Sequence, residues 1–233
     1  MRISAVIPVY NEEEVIEEFS NRLLESLRKM TEDYEVVFVV EGDDSTMTKL
    51  REFSTLYPNM RLDYNQKRLG LGKAMKRGLS LVSHRADYVL TMDADLNHQP
   101  EEISRLLEAA SEADIIVGRR SLDHGMVEEL PLFKRVVSGT TNWLLRRAFQ
   151  IPSRDVTSGF RLYSARAVET IRDELTSTNF EVTAELLIRA KKKGLTIADV
   201  PITFKARPRG NSKLSFVRSG IGYVKLLARL LRS

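Results

Sequence analysis

Two carboxylates at the end of an apolar run, Asp93 and Asp95, have the residue types and spacing to bind a metal ion. Residues 88–92 before them are mostly apolar, which is typical of a buried strand. Alternate residues of a strand point to one side, so we expect both carboxylates to face one ligand. Two hard oxygen ligands with open coordination positions suit Mg²⁺ or Mn²⁺ that also holds a diphosphate. An isolated pair of this kind is more often a solvated acidic turn, so the surrounding sequence decides the interpretation.

The composition predicts one well-packed domain, because the chain has 233 residues and is 42% hydrophobic. The absence of cysteine excludes disulfides and thiolate metal sites, and three histidines argue against a histidine-rich zinc site. Met1 leads almost directly into an expected strand rather than a signal peptide, and no apolar stretch approaches the length of a membrane span. We therefore expect a protein of the cytoplasm or of the cytoplasmic face of a membrane.

The net charge of +4 is unevenly distributed along the chain. Residues 205–233 contain eight basic side chains and no acidic one, whereas the residues before them carry a net charge of −4. A basic tail binds anions, and the candidates are nucleic acid, a diphosphate and an acidic membrane surface.

Apolar strands alternate with amphipathic helices through most of the chain, which predicts an α/β fold with a largely parallel sheet. The polar residues 121–129 and residues 155–161 are expected to form loops. We expect strands at residues 3–9, 34–40, 60–64, 88–92, 114–117 and 196–200, and helices at residues 12–30, 50–56, 70–83, 101–110, 132–149 and 180–193.

The last predicted helix is cationic on one side and apolar on the other. In helical projection, Arg218, Lys225 and Arg229 share one face, and Tyr223 and Leu230 lie on the opposite side. A helix of this kind lies in a membrane interface. A terminal helix that docks on the domain core through its apolar face explains the same pattern equally well.

Open parallel sheets bind ligands at the carboxyl ends of their strands, and four polar groups occupy such ends. They are residues 8–12, residues 41–44, the Asp93/Asp95 pair and residues 118–120. A carboxylate after the second strand can accept hydrogen bonds from a base or a ribose, or it can cap a turn.

Two basic segments could contact phosphate. Arg68 and Lys73 flank Gly70 and Gly72, although packing of a helix against the glycines explains that segment better than phosphate binding does. Residues 207–213 carry three cations that could close over a diphosphate, or that could form a solvated run of charge.

These motifs, in this order, resemble the family 2 inverting glycosyltransferases, and within them the polyprenyl-phosphate (dolichyl-phosphate) hexosyltransferases. Residues 93–101 are similar to the metal motif D-A-D-L-Q-H-P-P-E, while residues 41–46 look two residues shorter than the usual segment, so guanine and uracil donors both remain open. The other similar segments are residues 7–12, 65–74, 118–120, 134–138, 155–161 and 207–213.

The resemblance implies a GT-A type, Rossmann-like domain over residues 1–212, with an interface helix at about 130–149. Residues 213–233 would form an amphipathic membrane-interface helix without a transmembrane span. The implied reaction moves a hexose, mannose before glucose, from GDP-mannose or a UDP-hexose to dolichyl or polyprenyl phosphate at the cytoplasmic membrane face. A small membrane-spanning partner subunit is possible for this type, and no nucleic acid is implied.

The resemblance also implies a role for each candidate residue. The ligands of Mg²⁺ or Mn²⁺ would be Asp93, Asp95 and Asn97. The nucleotide-sugar site would contain Pro8, Tyr10, Glu12, Glu41, Asp43, Asp93, Ala94, Asp95, Arg207 and Lys213. The acceptor phosphate would contact Arg120, Lys134, Arg135 and Ser138, and the catalytic set would be Asp93, Asp95, Arg120 and Arg135. A lipid phosphate is already ionised near neutral pH, so no strong general base is required.

Three other functions remain open from the sequence. A glycosyltransferase with a polysaccharide, glycolipid or protein acceptor would need a carboxylate base, which Asp155, Glu181 or Glu185 could supply. A nucleotidyltransferase fits less well, because the usual glycine-rich segment after the first strand is absent. A non-enzymatic, basic membrane-adaptor or nucleic-acid-binding domain explains the tail but leaves the acidic motif unused.

Overall fold

A computed structural model describes residues 1–120, 132–207, 209 and 216–230 of the chain. Within the helices of that range, the side chains of residues 132–138, 141, 216–219 and 221 are not part of the description. The expected loop at residues 121–129 and the candidate residue Lys213 lie outside the described residues.

Seven strands and eight α-helices make up the described part of the chain. The strands are β1 (Ile3–Tyr10), β2 (Tyr34–Glu41), β3 (Met60–Asn65), β4 (Tyr88–Thr91), β5 (Ile115–Arg120), β6 (Arg161–Ser164) and β7 (Ile197–Ile202). The helices are α1 (Ile16–Met30), α2 (Thr46–Leu56), α3 (Leu71–Leu81), α4 (Ile103–Glu108), α5 (Leu132–Phe149), α6 (Ala165–Ile171), α7 (Val182–Lys192) and α8 (Phe216–Leu230).

The strands form a single sheet in the order β3-β2-β1-β4-β6-β5-β7. β1 pairs in parallel with β2 and β4, and β5 pairs in parallel with β7. Only β6 is antiparallel to its neighbours among the described strands, and it joins β4 to β5. The prediction of an α/β fold with a largely parallel sheet is confirmed.

Helices cover both faces of the sheet, which is why its central strands are apolar on both sides. Ile7 of β1 packs in the same cluster as Phe19 of α1, whereas its neighbour Val6 packs with Met75 of α3 on the other face. The face that α1 buries carries Phe19, Leu23 and Leu27, each four residues after the one before, as an amphipathic helix requires.

The structure differs from the sequence predictions at two places near the candidate site. β4 ends at Thr91, so Asp93 and Asp95 lie beyond the strand, and the alternation of strand side chains is the wrong reason for their proximity. They lie instead at a bend of the chain after β4, in which Leu96 has a φ of 61°. β6 and α6 were not predicted, because a strand of four residues beginning with an arginine lacks a readable apolar pattern.

The predicted last helix forms and packs against the domain. Leu226 and Leu230 of α8 are 1% and 2% exposed, and Lys192 at the end of α7 donates to the Leu230 carbonyl at 2.6 Å. Part of the apolar face is therefore used within the protein, while Val224 stays 65% exposed. The described helices are all too short or too polar to cross a bilayer.

Candidate active site

The carboxyl ends of β1, β2 and β4 meet at one edge of the sheet and bring the predicted groups together. Asn11 after β1 accepts a hydrogen bond from the Asp43 backbone N–H at 3.1 Å and donates its amide to the Asp43 carboxylate at 3.3 Å. A Cβ at Gly42, whose φ is 114°, would lie 1.7 Å from the Asn11 side-chain oxygen. Glycine is therefore required for the first and second strand ends to approach this closely.

Glu41 of β2 anchors the glycine segment. Its carboxylate is 4% exposed and accepts hydrogen bonds from the backbone N–H groups of Leu69 and Gly70, at 3.0 and 3.1 Å. A Cβ at Gly70 would come 2.4 Å from the Thr178 carbonyl, so close packing explains this glycine, as the sequence favoured. The nucleotide contact predicted for Glu41 stays a prediction, since one of its oxygens is already used by the backbone.

Arg68 lies over the ring of Tyr10, with its guanidinium carbon 4.3 Å from the ring centroid. This cation–π pair joins the segment after β3 to the end of β1. Of the two predicted nucleotide contacts at the end of β1, Pro8 is half-buried within the strand and Tyr10 is half-buried beside Arg68. Tyr10 and Arg68 thus form a flat, positively charged surface at the edge of the site.

Arg207, which follows β7, bridges two of the predicted acidic residues. Its guanidinium donates to Asp95 at 2.8 Å and to both oxygens of Glu12 at 3.2 and 3.3 Å. Burial opposes the charge on Arg207, but the two carboxylates outweigh burial and raise the pKa of the guanidinium. The structure thus brings a residue 112 positions beyond Asp95 into the acidic motif, whereas the contact of Arg207 with a diphosphate stays a prediction.

Asp93 is an acidic side chain without enough positive charge around it. In the described part of the chain its carboxylate accepts no hydrogen bond. The Nδ1 atom of His98 lies 3.8 Å from its Oδ2 atom. The Asp93 side chain is partly buried, at 40% exposure. Desolvation there, and then the charge of Asp95, raise its pKa to about 7. A cation bound at this point would remove that penalty.

Asn97 lies next to Asp95 and has an amide oxygen that no described residue uses. The amide nitrogen donates to the Lys205 carbonyl at 2.9 Å, and the backbone N–H donates to Asp95 at 3.0 Å, so the amide oxygen keeps its lone pairs among the described residues. No cluster of three His, Cys, Asp or Glu side chains able to hold a metal occurs in the described ranges. Two carboxylates, one amide oxygen and open positions nevertheless fit a hard divalent cation that shares its coordination with a substrate.

His98 is a residue of the site that sequence reasoning missed. Its ring is 3% exposed and lies between Phe160 and Phe204, with centroid distances of 5.5 and 5.2 Å. Burial lowers its pKa to about 4, so the ring is neutral. The available signal was its place inside the acidic motif, three residues after Asp95.

Arg120, at the end of β5, is paired rather than open to an acceptor. Two of its nitrogens donate to the two oxygens of Asp155, both at 2.7 Å, and it also donates to Thr157 at 2.6 Å. Burial disfavours ionisation of Asp155, but Arg120 outweighs it and lowers the pKa of this carboxyl to about 2. An acceptor phosphate at Arg120 must therefore share it with Asp155, a constraint that the sequence did not reveal.

The three carboxylates considered as general bases all have structural partners. Asp155 is paired with Arg120 as above, and Glu185 is fully buried and accepts from Thr176, Ser177 and Arg189. Glu181 is 6% exposed and accepts from two backbone N–H groups that precede α7. None of the three is placed as an open base, which weakens the alternative with a neutral hydroxyl acceptor.

The remaining predicted residues are placed less completely. Ala94 is buried at 3% exposure between the two aspartates. Lys134, Arg135 and Ser138 lie in α5, but their side chains are outside the described residues, so their contacts stay predictions.

Comparison with known proteins decides the family. The sequence model of glycosyl transferase family 2 matches residues 4–172, which include β1 to α6 and both aspartates of the motif. The chain belongs to this family. The resemblance inferred from the ordered motifs is thereby confirmed.

Curated relatives of this family 2 glycosyltransferase share its length to different degrees. Dolichol-phosphate mannosyltransferase of Pyrococcus furiosus is 35% identical, in an alignment covering 100% of this chain and 64% of that protein. Undecaprenyl-phosphate mannosyltransferase of Micrococcus luteus is 30% identical over 92% of this chain and 88% of the relative. Polyprenol monophosphomannose synthase of Mycolicibacterium smegmatis is 32% identical over 92% of this chain and 81% of that protein. The chain thus spans slightly less than two thirds of the Pyrococcus protein.

Solved structures confirm the GT-A type fold. Glucosyl-3-phosphoglycerate synthase from Mycobacterium tuberculosis, crystallised with Mn²⁺, UDP-glucose and phosphoglyceric acid, superposes with a TM-score of 0.68 at 20% identity, over 99% of this chain and 79% of that one. Mannosyl-3-phosphoglycerate synthase from Rubrobacter xylanophilus gives a TM-score of 0.63 at 16% identity, over 100% of this chain and 74% of that one. At these identities the likeness concerns the fold alone.

Proposed function

We propose that this family 2 glycosyltransferase moves a hexose, mannose before glucose, from a nucleoside-diphosphate sugar to a dolichyl or polyprenyl phosphate. The observation that carries the proposal is the cluster at the sheet edge, where Asp93 accepts no hydrogen bond from the described residues and Arg207 already spans Asp95 and Glu12. The names of the three curated relatives, all polyprenyl- or dolichyl-phosphate mannosyl enzymes, support the same donor sugar and acceptor class.

The donor diphosphate would bind beside the acidic motif. Asp93, Asp95 and the Asn97 amide oxygen would hold Mg²⁺ or Mn²⁺, and the ion would supply positive charge to the departing diphosphate. Arg207 would turn part of its guanidinium from the carboxylates towards the diphosphate, for which its planar fork is suited. Structural relatives with Mn²⁺ or Mg²⁺ bound in the same fold support the presence of a divalent ion.

The acceptor needs no deprotonation. This agrees with the three carboxylates considered as general bases, which are already hydrogen-bonded to other groups of the protein. A lipid monophosphate carries its nucleophilic oxygen as an anion near neutral pH, so the protein has to bind and orient it. Arg120, with Lys134 and Arg135 of α5, would hold that phosphate opposite the leaving diphosphate. Attack from that side inverts the anomeric centre.

A membrane surface would present the lipid to the site, on the cytoplasmic face. On α5, Trp143 and Leu144 are 63% and 46% exposed, and Arg146 and Arg147 follow after the buried Leu145. An exposed tryptophan beside arginines is typical of a helix at a membrane interface. The comparisons give no support to a separate membrane-spanning partner, and the proposal does not include one.

The test is transfer of label from a panel of nucleotide sugars into organic-extractable lipid, with polyprenyl phosphate, Mn²⁺ or Mg²⁺, and a chelator control. We expect chelator-sensitive lipid label from a mannosyl donor and loss of at least 100-fold in Asp95→Asn. The matched control is Asp87→Asn, a 59% exposed carboxylate at the opposite end of β4, which should transfer normally.

Three results would contradict the proposal. Donor hydrolysis without lipid label would move the acceptor to a carbohydrate or protein, and near-normal transfer by Asp95→Asn would remove the metal from the reaction. Failure to bind any nucleotide sugar would favour a basic adaptor domain.

A further inference from the structure

His98 is a buried residue beside the acidic motif whose two ring nitrogens have no hydrogen-bond partner in the described part of the chain. The ring is 3% exposed, so water does not replace the missing partners at its surface. A buried polar group without a hydrogen-bond partner destabilises the folded state. Such a group in a folded protein calls for a functional or structural explanation.

The surroundings of the ring prevent it from turning to solvent. Phe160 and Phe204 flank it, the second edge-on at an interplanar angle of 65°. The backbone of His98 is also held, because it forms a bridge with Phe204. The imidazole is therefore fixed in an apolar slot, where a leucine or phenylalanine would fit as a packing residue without unsatisfied nitrogens.

The slot opens towards Asp93. The Nδ1 atom lies 3.8 Å from Asp93 Oδ2, beyond hydrogen-bond range, and a side-chain rearrangement of about 1 Å would bring this acceptor within it. The same oxygen also lies near Gly159, where an added Cβ would lie 3.1 Å from Oδ2. The Gly159 carbonyl in turn accepts from Thr91 at 2.8 Å, which ties this wall to β4. Asp93 thus lies close to both a fixed glycine and a fixed imidazole.

We propose that His98 is the positioning residue for Asp93, donating a hydrogen bond from Nδ1–H to Oδ2 and leaving Oδ1 for the cation of the loaded site. Hydrogen bonds of active sites are often long in the unliganded protein and shorten when the ligands are bound. The inference rests on the proposed function, because it needs a cation at Asp93. His98 itself touches neither the sugar nor the phosphate.

The expected consequence is a loss of metal affinity. Partners that orient metal-binding side chains typically contribute 10- to 100-fold in affinity or activity. Asp93 has no other hydrogen-bond donor among the described residues, so the whole orienting effect would come from His98.

A pair of nearly isosteric variants separates orientation from packing. His98→Asn keeps a donor close to the position of Nδ1, whereas His98→Leu has the same size and no donor. Mn²⁺ binding would be measured on the full chain by electron paramagnetic resonance of the free ion, with and without nucleoside diphosphate. Thermal unfolding of each variant would be recorded in parallel, and transfer assays would separate kcat from KM.

We expect His98→Leu to bind Mn²⁺ about 10- to 100-fold more weakly, with a lower kcat, and His98→Asn to stay within about threefold of the wild type. Equal losses in both variants would overturn the inference, since packing alone would then be at work. Equal affinity in all three proteins would overturn it as well. A wild-type chain that binds no Mn²⁺ would overturn the metal site itself, and the inference with it.

The wild-type protein offers a measurement that does not depend on folding of a variant. The chain has three histidines, so ¹⁵N spectra of the imidazoles can be assigned with single substitutions at His84 and His124. With Mg²⁺ and nucleoside diphosphate we expect the Nδ1–H tautomer of His98. Its proton should be shifted downfield relative to the metal-free protein in chelator. An Nε2–H tautomer, or a spectrum that does not change on loading, would overturn the inference.

Discussion

Replacing Arg207 by alanine should destabilise the metal-free protein and, at the same time, tighten its binding of Mn²⁺. The guanidinium, 15% exposed, is paired with Asp95 and Glu12, which are 20% and 11% exposed. Each pair is worth about 4 kcal/mol of Coulomb energy at an effective dielectric constant of 20, before desolvation is subtracted. Removing one partner of such a buried group leaves carboxylates without a countercharge, and the net cost is about 3 kcal/mol.

The second half of the prediction follows from competition for Asp95. In the metal-free protein Arg207 donates to an oxygen of Asp95 that a cation would use, so its removal should improve Mn²⁺ affinity about tenfold. A tenfold change corresponds to about 1.4 kcal/mol. By linkage, the stability deficit of Arg207→Ala should therefore fall to about half at saturating Mn²⁺.

The assay is urea unfolding of the wild type, Arg207→Ala and Arg207→Lys, each with chelator and with saturating Mn²⁺, together with direct Mn²⁺ titration. Arg207→Lys is the matched control, because it keeps the charge but loses the planar fork. We expect it to lose about 1 kcal/mol and to bind Mn²⁺ within threefold of the wild type. An alanine variant with the same deficit in chelator and in Mn²⁺ would refute the reasoning, as would one that is as stable as the wild type.

Three further outcomes are expected. Gly159→Ala should shift the Asp93 carboxylate by a few tenths of an ångström and lower transfer about tenfold, measured as kcat, while its unfolding midpoint changes little. The Asp155 pKa of about 2, depressed from 3.8 by Arg120, contributes stability that is present above pH 4 and lost as the pH falls towards 2. That contribution, about 2 kcal/mol, should be absent from the pH dependence of unfolding in Asp155→Asn. Trp143→Ser should weaken binding to anionic vesicles about tenfold in a sedimentation assay.

The vesicle assay has a matched control, and each of the three outcomes has a result that would contradict it. Leu56→Ser removes a side chain that is 74% exposed on α2, and it should leave vesicle binding unchanged. Equal losses for Leu56→Ser and Trp143→Ser would argue against α5 as the contact surface. Unfolding of Asp155→Asn with the full pH dependence of the wild type would remove the Arg120 pair from the acid response. Normal kcat in Gly159→Ala would show that Asp93 tolerates displacement.

The largely parallel sheet and the edge of the sheet that carries the site were predictable from local patterns, whereas the order of the strands was not. Apolar runs alternating with amphipathic helices require crossovers, and crossovers make neighbouring strands parallel. The carboxyl ends of parallel strands share one edge, so the groups after β1, β2 and β4 had to meet there. For this reason Glu12, Asp43, Asp93 and Asp95 were placed correctly at the sheet edge from the sequence, even though β4 proved to end before Asp93.

Other features depended on residues that are distant along the chain. β6 has no apolar alternation of its own, and its antiparallel place between β4 and β5 is a result of packing. The docking of Leu226 and Leu230 shows the same limit, since an amphipathic helix fits a protein core and a membrane surface by the same pattern.

The sequence alone determined the class of fold and the residues of the acidic motif, because both follow from periodicity and from chemistry within a few neighbouring positions. Only the tertiary structure decided which charges are paired. Arg120 meets Asp155, and Arg207 meets Asp95 from 112 positions away. It also decided that His98 lies in an apolar slot next to Asp93. Electrostatic partners and burial depend on distance in space, and spacing along the chain does not determine that distance.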